Sequence, residues 1–347
     1  METNHLYLYG ITHNYYDPSQ FLELKNMGLQ AIQYEKISAV VAEKEYVCLS
    51  HMGKEMLARM LVDHQKVLEN LLEKGFSMLI PMKLGTYVKS KTEVRRILEK
   101  GYSLCLDILE KISNMVEIDI AATWSSFNQV LLAVSSNPEV VDLKQNLLVK
   151  DTGISTSDQI QIGKLIKKKL DEKAGHVRQH IIERLGIHCM NVKIHELMND
   201  QMVANIAFLL NKGKITLLEK TLDQLDKELK GELNFKYVGP LPCYSFYTLE
   251  IVELNFNQIE QAKNELGLQM KASAKEIKQA YLAKVKTVHP DVINSGNGNE
   301  ACFTTVNKAY QTITNYLQTV RQSSSDDLYY FTEEQVNENS ILVKIKE

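Results

Sequence analysis

SAKEIKQAYLAKVKTVHPD, residues 273–291, decides how the C-terminal part of this chain folds. Ser273 and Glu276 stand at the spacing at which a hydroxyl and a carboxylate each satisfy an orphan amide at a helix start, so a helix is predicted from Ala274. Ile277, Ala280, Tyr281 and Val288 fall on one stripe of it, while Lys275, Lys278 and Lys286 point elsewhere and make a basic face. Pro290 ends the helix, because the residue before a proline is pushed out of helical backbone. After a Gly/Asn-rich turn at 294–299, Phe303, Val306, Tyr310, Ile313 and Leu317 recur at steps of three and four. They predict a second amphipathic helix, antiparallel to the first, with His289-Pro290-Asp291 at the tip of the hairpin.

Leu266-Gly267-Leu268 precedes the hairpin, and Asn307-Lys308-Ala309-Tyr310 lies in its second arm. With the EIKQAY run at 276–281 and the HPD tripeptide at 289–291, this order resembles the J-domain of DnaJ-type co-chaperones. The resemblance implies binding to a DnaK-type chaperone and stimulation of its ATPase through His289, Pro290 and Asp291. Lys275, Lys278 and Lys286 would steer the helix to an acidic surface. Three positions depart from the family: Lys284 stands where a core leucine is usual, and Lys263 and Glu265 replace an aromatic and an aliphatic residue.

The whole chain of 347 residues is long enough for two or three domains. With 44% hydrophobic residues, 24% charged and a net charge of -3, the composition is that of a globular protein and gives no global signal for nucleic acid. No apolar run approaches the roughly 18 to 20 residues of a membrane span, and the N-terminus lacks a basic stretch followed by an apolar one, so a cytoplasmic protein is expected. Cys48, Cys105, Cys189, Cys243 and Cys302 are scattered and never paired as CxxC; they read as reduced small hydrophobes. His188, Cys189 and His195 find no second cluster to complete a metal site, so no metal and no cofactor is assigned. Phosphate-binding, dinucleotide, HExxH and Ser/His/acid signatures are all missing, and a non-enzyme is expected.

Along the chain, strands are predicted at 6–11, 37–43 and within 76–88, with helices from Met56 to Leu71 and from Lys91 to Ile112. A strand at 115–124 follows, then a segment broken at Asn137-Pro138, then a long helix from Asp158 to Leu185 with lysines at 164 and 167–169, read as a solvated face. Strands at 191–197 and 202–210, a helix from Lys214 to Lys230, and an extended stretch from Phe235 to Ile251 complete the order strand, helix, strand, strand, helix, strand. The fold class is α+β: an N-terminal α+β domain over 1–113, a ferredoxin-like domain over 114–255, an all-α hairpin over 256–321, and a linker and tail over 322–347. Ile341, Val343 and Ile345 alternate as a short strand that either frays or adds to an open sheet edge.

Five local sequences occur in series: Tyr7-Leu8-Tyr9-Gly10-Ile11; the helix around His64; Pro81-Met82-Lys83-Leu84-Gly85-Thr86; Val116-Glu117; and Gly239-Pro240-Leu241-Pro242-Cys243-Tyr244-Ser245-Phe246. Together they resemble the gas vesicle GvpF/GvpL family over residues 5 to 250, with Lys83, Leu84, Leu241 and Cys243 departing from its pattern. Read as residues alone, Gly85 and Gly239 serve backbone geometry, Pro240 and Pro242 stiffen a turn, Tyr244 and Phe246 pack, and His64 is a structural histidine. The resemblance implies an accessory protein of gas vesicle assembly that contacts the shell protein GvpA and other gas vesicle accessory proteins, with the J-domain recruiting the chaperone. The rival readings are a minor structural component of the vesicle wall with a degenerate J-domain, and an RNA-binding ferredoxin-like module.

Overall fold

The computed structural model describes residues 5–14, 18–148, 155–288, 298–321 and 328–346. They fall into two compact units: the described parts of Met1–Val67, Ile80–Leu109 and Thr248–Glu347 form the first, and those of Leu68–Leu79 and Glu110–Tyr247 the second.

The first unit begins with β1 (His5–His13), α1 (Pro18–Asn26), β2 (Gln30–Tyr34), β3 (Ile37–Lys44) and α2 (Lys54–Glu73), within which the chain passes to the second unit. β4 (Leu79–Pro81), β5 (Tyr87–Val88), α3 (Lys91–Lys100) and α4 (Tyr102–Lys111) follow. The sheet order is β2-β3-β1-β4, with β5 also on β1. β1 and β3 read as continuous apolar runs, and Leu6 to Thr12 and Ile37 to Ala42 are all buried, the pattern of strands covered on both faces. α3 starts on Ser90, whose hydroxyl accepts the Glu93 amide at 3.2 Å, and buries Val94, Ile97 and Leu98.

The second unit holds β6 (Met115–Trp124), α5 (Phe127–Ser135), α6 (Pro138–Leu148), α7 (Thr156–Gly186), β7 (Asn191–Ile194), β8 (Met202–Asn211), α8 (Ile215–Glu228), β9 (Leu233–Leu241) and the short α9 (Tyr244–Tyr247). Its antiparallel sheet runs β7-β8-β6-β9, the strand order of a ferredoxin-like sandwich. Val116, Ile118 and Ile120 of β6 meet Ile181 and Leu185 of α7 and Leu218 and Leu225 of α8 in one core. The break at Asn137-Pro138 is present: α5 ends at Ser135 and α6 starts on Pro138, the first helical position, where its missing amide costs nothing. One local reading is corrected: the stretch 235–251 is not extended throughout, because β9 stops at Leu241 and α9 turns the chain before the next strand.

The chain then returns to the first unit with β10 (Leu249–Glu253), α10 (Phe256–Leu266), β11 (Lys271–Ser273), α11 (Ala274–Val288), α12 (Gly298–Arg321), β12 (Leu328–Tyr330), α13 (Glu333–Glu338) and β13 (Ile341–Ile345). The capping box at Ser273 and Glu276 is present: the Ser273 amide donates to the Glu276 carboxylate at 2.7 Å and the Glu276 amide to the Ser273 hydroxyl at 3.3 Å. α11 meets α12 through Tyr281, whose ring stacks on Tyr310 at 4.0 Å and whose hydroxyl donates to Asn307 at 2.7 Å. Lys284 is exposed, so the core does not close over it; Lys263 is buried, with its ammonium 3.3 Å from the Met270 sulfur.

The tail is ordered into two ribbons. β11 pairs with β12, and β10 pairs with β13 from Leu249↔Ile345 to Glu253↔Ile341. Of the two expectations for 341–345, pairing on an open edge is the outcome. Tyr329, Phe331 and Val336 lie in the same core as Ile259, Ile277, Val306 and Ile313, and the Tyr316 hydroxyl donates to the Tyr330 carbonyl at 2.6 Å. Arg96 of α3 donates to the Asn337 carbonyl at 2.8 Å and the Ser340 hydroxyl at 3.0 Å. Phe331→Ala should therefore destabilise α10–α12 by about 3 to 5 kcal/mol, the cost of emptying a buried aromatic site. Thermal unfolding with amide exchange of α12 measures it, and an unchanged midpoint would remove the tail from that core.

Candidate functional site

The residues singled out from sequence lie in three places. In the first unit, β1 carries Tyr7 and Tyr9 beside His64 of α2. The Tyr7 hydroxyl sits 2.8 Å from His64 Nδ1 and accepts the Gly85 amide at 3.2 Å. The Met82 backbone raises the His64 pKa, as a carbonyl accepting from the ring does, so the neutral ring carries its proton on Nε2 and Nδ1 accepts from the Tyr7 hydroxyl. Burial pushes the His64 pKa down from 6.5 to about 4, against a hydrogen bond with the Met82 backbone that raises it; the Lys44 charge lowers it further. Lys44 itself lies 4.9 Å over the Tyr7 ring and 5.3 Å over Tyr9. Gly85 has φ +79, and a Cβ there would run into Leu49, so this turn needs glycine on two counts. Pro81 is buried in β4, and the Thr86 hydroxyl donates to the Lys83 carbonyl at 2.6 Å. Lys83 pairs with Glu250 at 2.9 Å, which Lys344 also approaches at 3.5 Å.

In the second unit the acid of β6 and the turn after β9 come together. Glu117 is 1% exposed and accepts from Ser245 twice, the amide at 2.8 Å and the hydroxyl at 2.7 Å. His195 Nε2 lies 3.0 Å from the same hydroxyl, and the Lys193 ammonium donates to the Ser245 carbonyl at 2.8 Å. Burial, then the neighbouring Asp119, pushes the Glu117 pKa from 4.5 up to about 8, and burial raises that of Asp119 as well. Asp119 Oδ1 is buried without a hydrogen-bond partner among the described residues. Serine stands between histidine and acid here, whereas nucleophile activation needs histidine in the middle. The arrangement ties α9 to β6.

Gly239, at φ +148, lies against β6: a Cβ would meet Ile118 Cδ1 at 2.6 Å and the Glu117 carbonyl at 3.0 Å. Pro240 follows it and is exposed, while Pro242 is buried. Tyr244 has its pKa raised by burial and then by Glu69 and Glu117, and Phe246 is half-buried. Beside Gly239 and Pro240 opens a cleft of about 480 Å³ with Glu69, Glu73, Lys212 and Ile215 on its walls.

In the helical part, Lys275, Lys278 and Lys286 are exposed on α11 at spacings that share one face. His289, Pro290 and Asp291 lie outside the described residues. Of the lysine cluster on α7, Lys167 pairs with Asp171 and Asp200, and Lys169 with Glu139 and Glu172, which leaves little free positive charge for a nucleic acid. Sequence reasoning passed over Ser245, Asp119 and His195 as partners of Glu117. The signal was two acids at alternate positions of one strand, on the face opposite Ile118 and Ile120.

A family model described as gas vesicle synthesis protein GvpL/GvpF matches residues 5–248. The chain belongs to the GvpL/GvpF family. A DnaJ-domain model matches residues 255–319, the stretch of α10–α12. Gas vesicle protein F of Microcystis aeruginosa is 25% identical over 248 residues, 70% of this chain and 98% of its own length. That of Dolichospermum flosaquae is 25% identical over 71% of this chain and 98% of its own. The crystal structure of GvpF from Anabaena aligns at a TM-score of 0.58 and 21% identity, covering 71% of this chain and 98% of that one. GvpF from Microcystis aeruginosa aligns at 0.58 and 23%, over 70% and 99%. At these identities the structural likeness is one of fold. All five GvpL/GvpF motifs thus sit where they hold backbone segments in place.

Two opposite pH responses follow. The folded chain refuses a proton at His64 that the unfolded chain accepts below 6.5, so this stability is full above pH 6.5 and lost as pH falls towards 4. The folded chain keeps a proton at Glu117 that the unfolded chain releases above 4.5, so that stability is full below 4.5 and lost as pH rises towards 8. Urea unfolding across pH should show both limbs. His64→Gln should flatten the acid limb and Glu117→Gln the alkaline one; a limb unchanged in its variant refutes that assignment.

Proposed function

We propose that this chain is an accessory protein of gas vesicle assembly, without catalysis of its own, that holds the hydrophobic shell protein GvpA through its GvpL/GvpF part and calls a DnaK-type chaperone to it through its J-domain. The observation that carries the reading is the fusion: the two family models match successive stretches of one polypeptide, residues 5–248 and 255–319. A shell protein with apolar surface and unpaired strand edges self-associates before incorporation. Joining client and chaperone sites in one chain raises the effective concentration of each at the other. Lys275, Lys278 and Lys286 supply the positive face that steers α11 to an acidic chaperone surface, and His289, Pro290 and Asp291 supply the contact that follows. The site of action is the cytoplasm and the growing vesicle, with other gas vesicle accessory proteins as further partners. The rival reading of a wall component with a degenerate J-domain drew on Lys284 in a core position, and Lys284 is exposed.

Steady-state ATPase of DnaK with the full chain tests recruitment. Stimulation is expected with the wild type and lost with His289→Gln; equal rates in the two would sink that half of the reading. Reversing Lys275, Lys278 and Lys286 to glutamate should weaken the apparent affinity about tenfold at low salt and less at high salt. Capture of co-produced GvpA by the tagged full chain tests the client half, and failure to capture it would defeat that half.

A further inference from the structure

β7 closes one end of the sheet order β7-β8-β6-β9. Its register sets Asn191 opposite Leu209, Lys193 opposite Ala207 and Ile194 opposite Ile206, and the His195 amide continues the ladder onto the Asn205 carbonyl at 2.8 Å. In an antiparallel pair, residues bonded to the neighbour alternate with residues whose amide and carbonyl face away. His195 is bonded, so Asn191 and Lys193 are too, and Val192 and Ile194 turn their backbone groups off the sheet. The Val192 amide is met by the Asn191 side chain at 2.8 Å, a local stand-in for a missing strand.

Apolar side chains in and beside this edge are exposed, Ile187 at 70%, Met190 at 72%, Ile194 at 55% and Met198 at 81%, with Asn191, Lys193 and Glu196 exposed among them. Lys193, the charge within β7, spends its ammonium on the Ser245 carbonyl. An edge that offers backbone donors and acceptors, is flanked by exposed apolar side chains and carries one cation at Lys193 against one anion at Glu196 matches an uncharged apolar strand better than a charged one.

We propose that β7 is the docking edge for an extended, uncharged apolar segment of the shell protein, which joins the sheet as a fifth strand beside Val192 and Ile194. Naming the shell protein as the source rests on the proposed function; the edge and its chemistry do not. β7 is only four residues long and carries a lysine, features that discourage promiscuous pairing, so the added strand must be supplied by a partner that also covers Met190 and Met198.

The test uses the tagged full chain with co-produced GvpA as the probe. Ile194→Lys puts a charge on the edge, and Ile194→Pro deletes an outward amide without removing a bond to β8. Each should lower captured GvpA by about tenfold while circular dichroism and DnaK stimulation stay at wild-type levels. The amides of Val192 and Ile194 should gain exchange protection in the wild-type complex. Capture by the wild type that both variants retain, or capture without protection at those amides, overturns the docking edge and leaves the proposed function standing. No capture by the wild type overturns the client reading and this one with it. A dimer in light scattering that Ile194→Lys dissolves, with capture unchanged, gives the edge to a second copy and also overturns the proposal.

Discussion

The ladder between Leu249–Glu253 and Ile341–Ile345 joins the two ends of everything that lies between them, the helices α10–α13 included. Closing a loop of roughly 90 residues costs little more entropy than closing a much shorter one, because the cost grows only with the logarithm of length. A few well-made contacts therefore suffice. Leu342 and Val343 are each 1% exposed, Val343 packs so closely on Gly101 that a Cβ there would come within 3.0 Å of it, and Glu250 receives both Lys83 and Lys344. The J-domain is consequently held at both ends against the N-terminal sheet, in place of hanging from a single linker.

The GvpL/GvpF motifs gain a physical account from the polar ties they form. Tyr7 and Glu117 each hold a backbone amide across a long stretch of chain, Gly85 in one case and Ser245 in the other. A buried polar atom without a partner costs far more than a made hydrogen bond contributes, so such pairs specify position more than they add stability. Glycine at 85 and 239 is the complement: each brings backbone where a side chain already stands. Lys83 finds Glu250 in the part of the chain beyond the motifs.

Much of this was legible in the sequence. The capping box at Ser273, the stripe on α12, the long α7 and the strand order of the second unit follow from spacing that is local and periodic. What spacing could not reveal was long-range. The partner of β13 lies about 90 residues upstream, and nothing in five alternating residues names it. The break at Asn137-Pro138 was legible, but the two helices it separates, α5 and α6, were not assigned from the spacing around it. Of the site, Glu117 and Ser245 stood in the motifs, but their meeting with His195 depends on how β6, the turn after β7 and α9 are brought together, which no single segment encodes.

The first unit is assembled from chain on both sides of the second. During synthesis β1 to α4 emerge first, then the entire ferredoxin-like body, and only afterwards β10 to β13. The seat for Val343 beside Gly101, and the two acceptors that Arg96 reaches, are therefore made long after the surface that waits for them. Until β13 pairs, β10 meets the N-terminal part through Lys83, whose amide donates to the Leu249 carbonyl at 2.8 Å and whose ammonium pairs with Glu250. Vectorial synthesis thus makes the order of the gene part of the protein's own assembly: the ferredoxin-like body is complete before the J-domain helices are locked by β13.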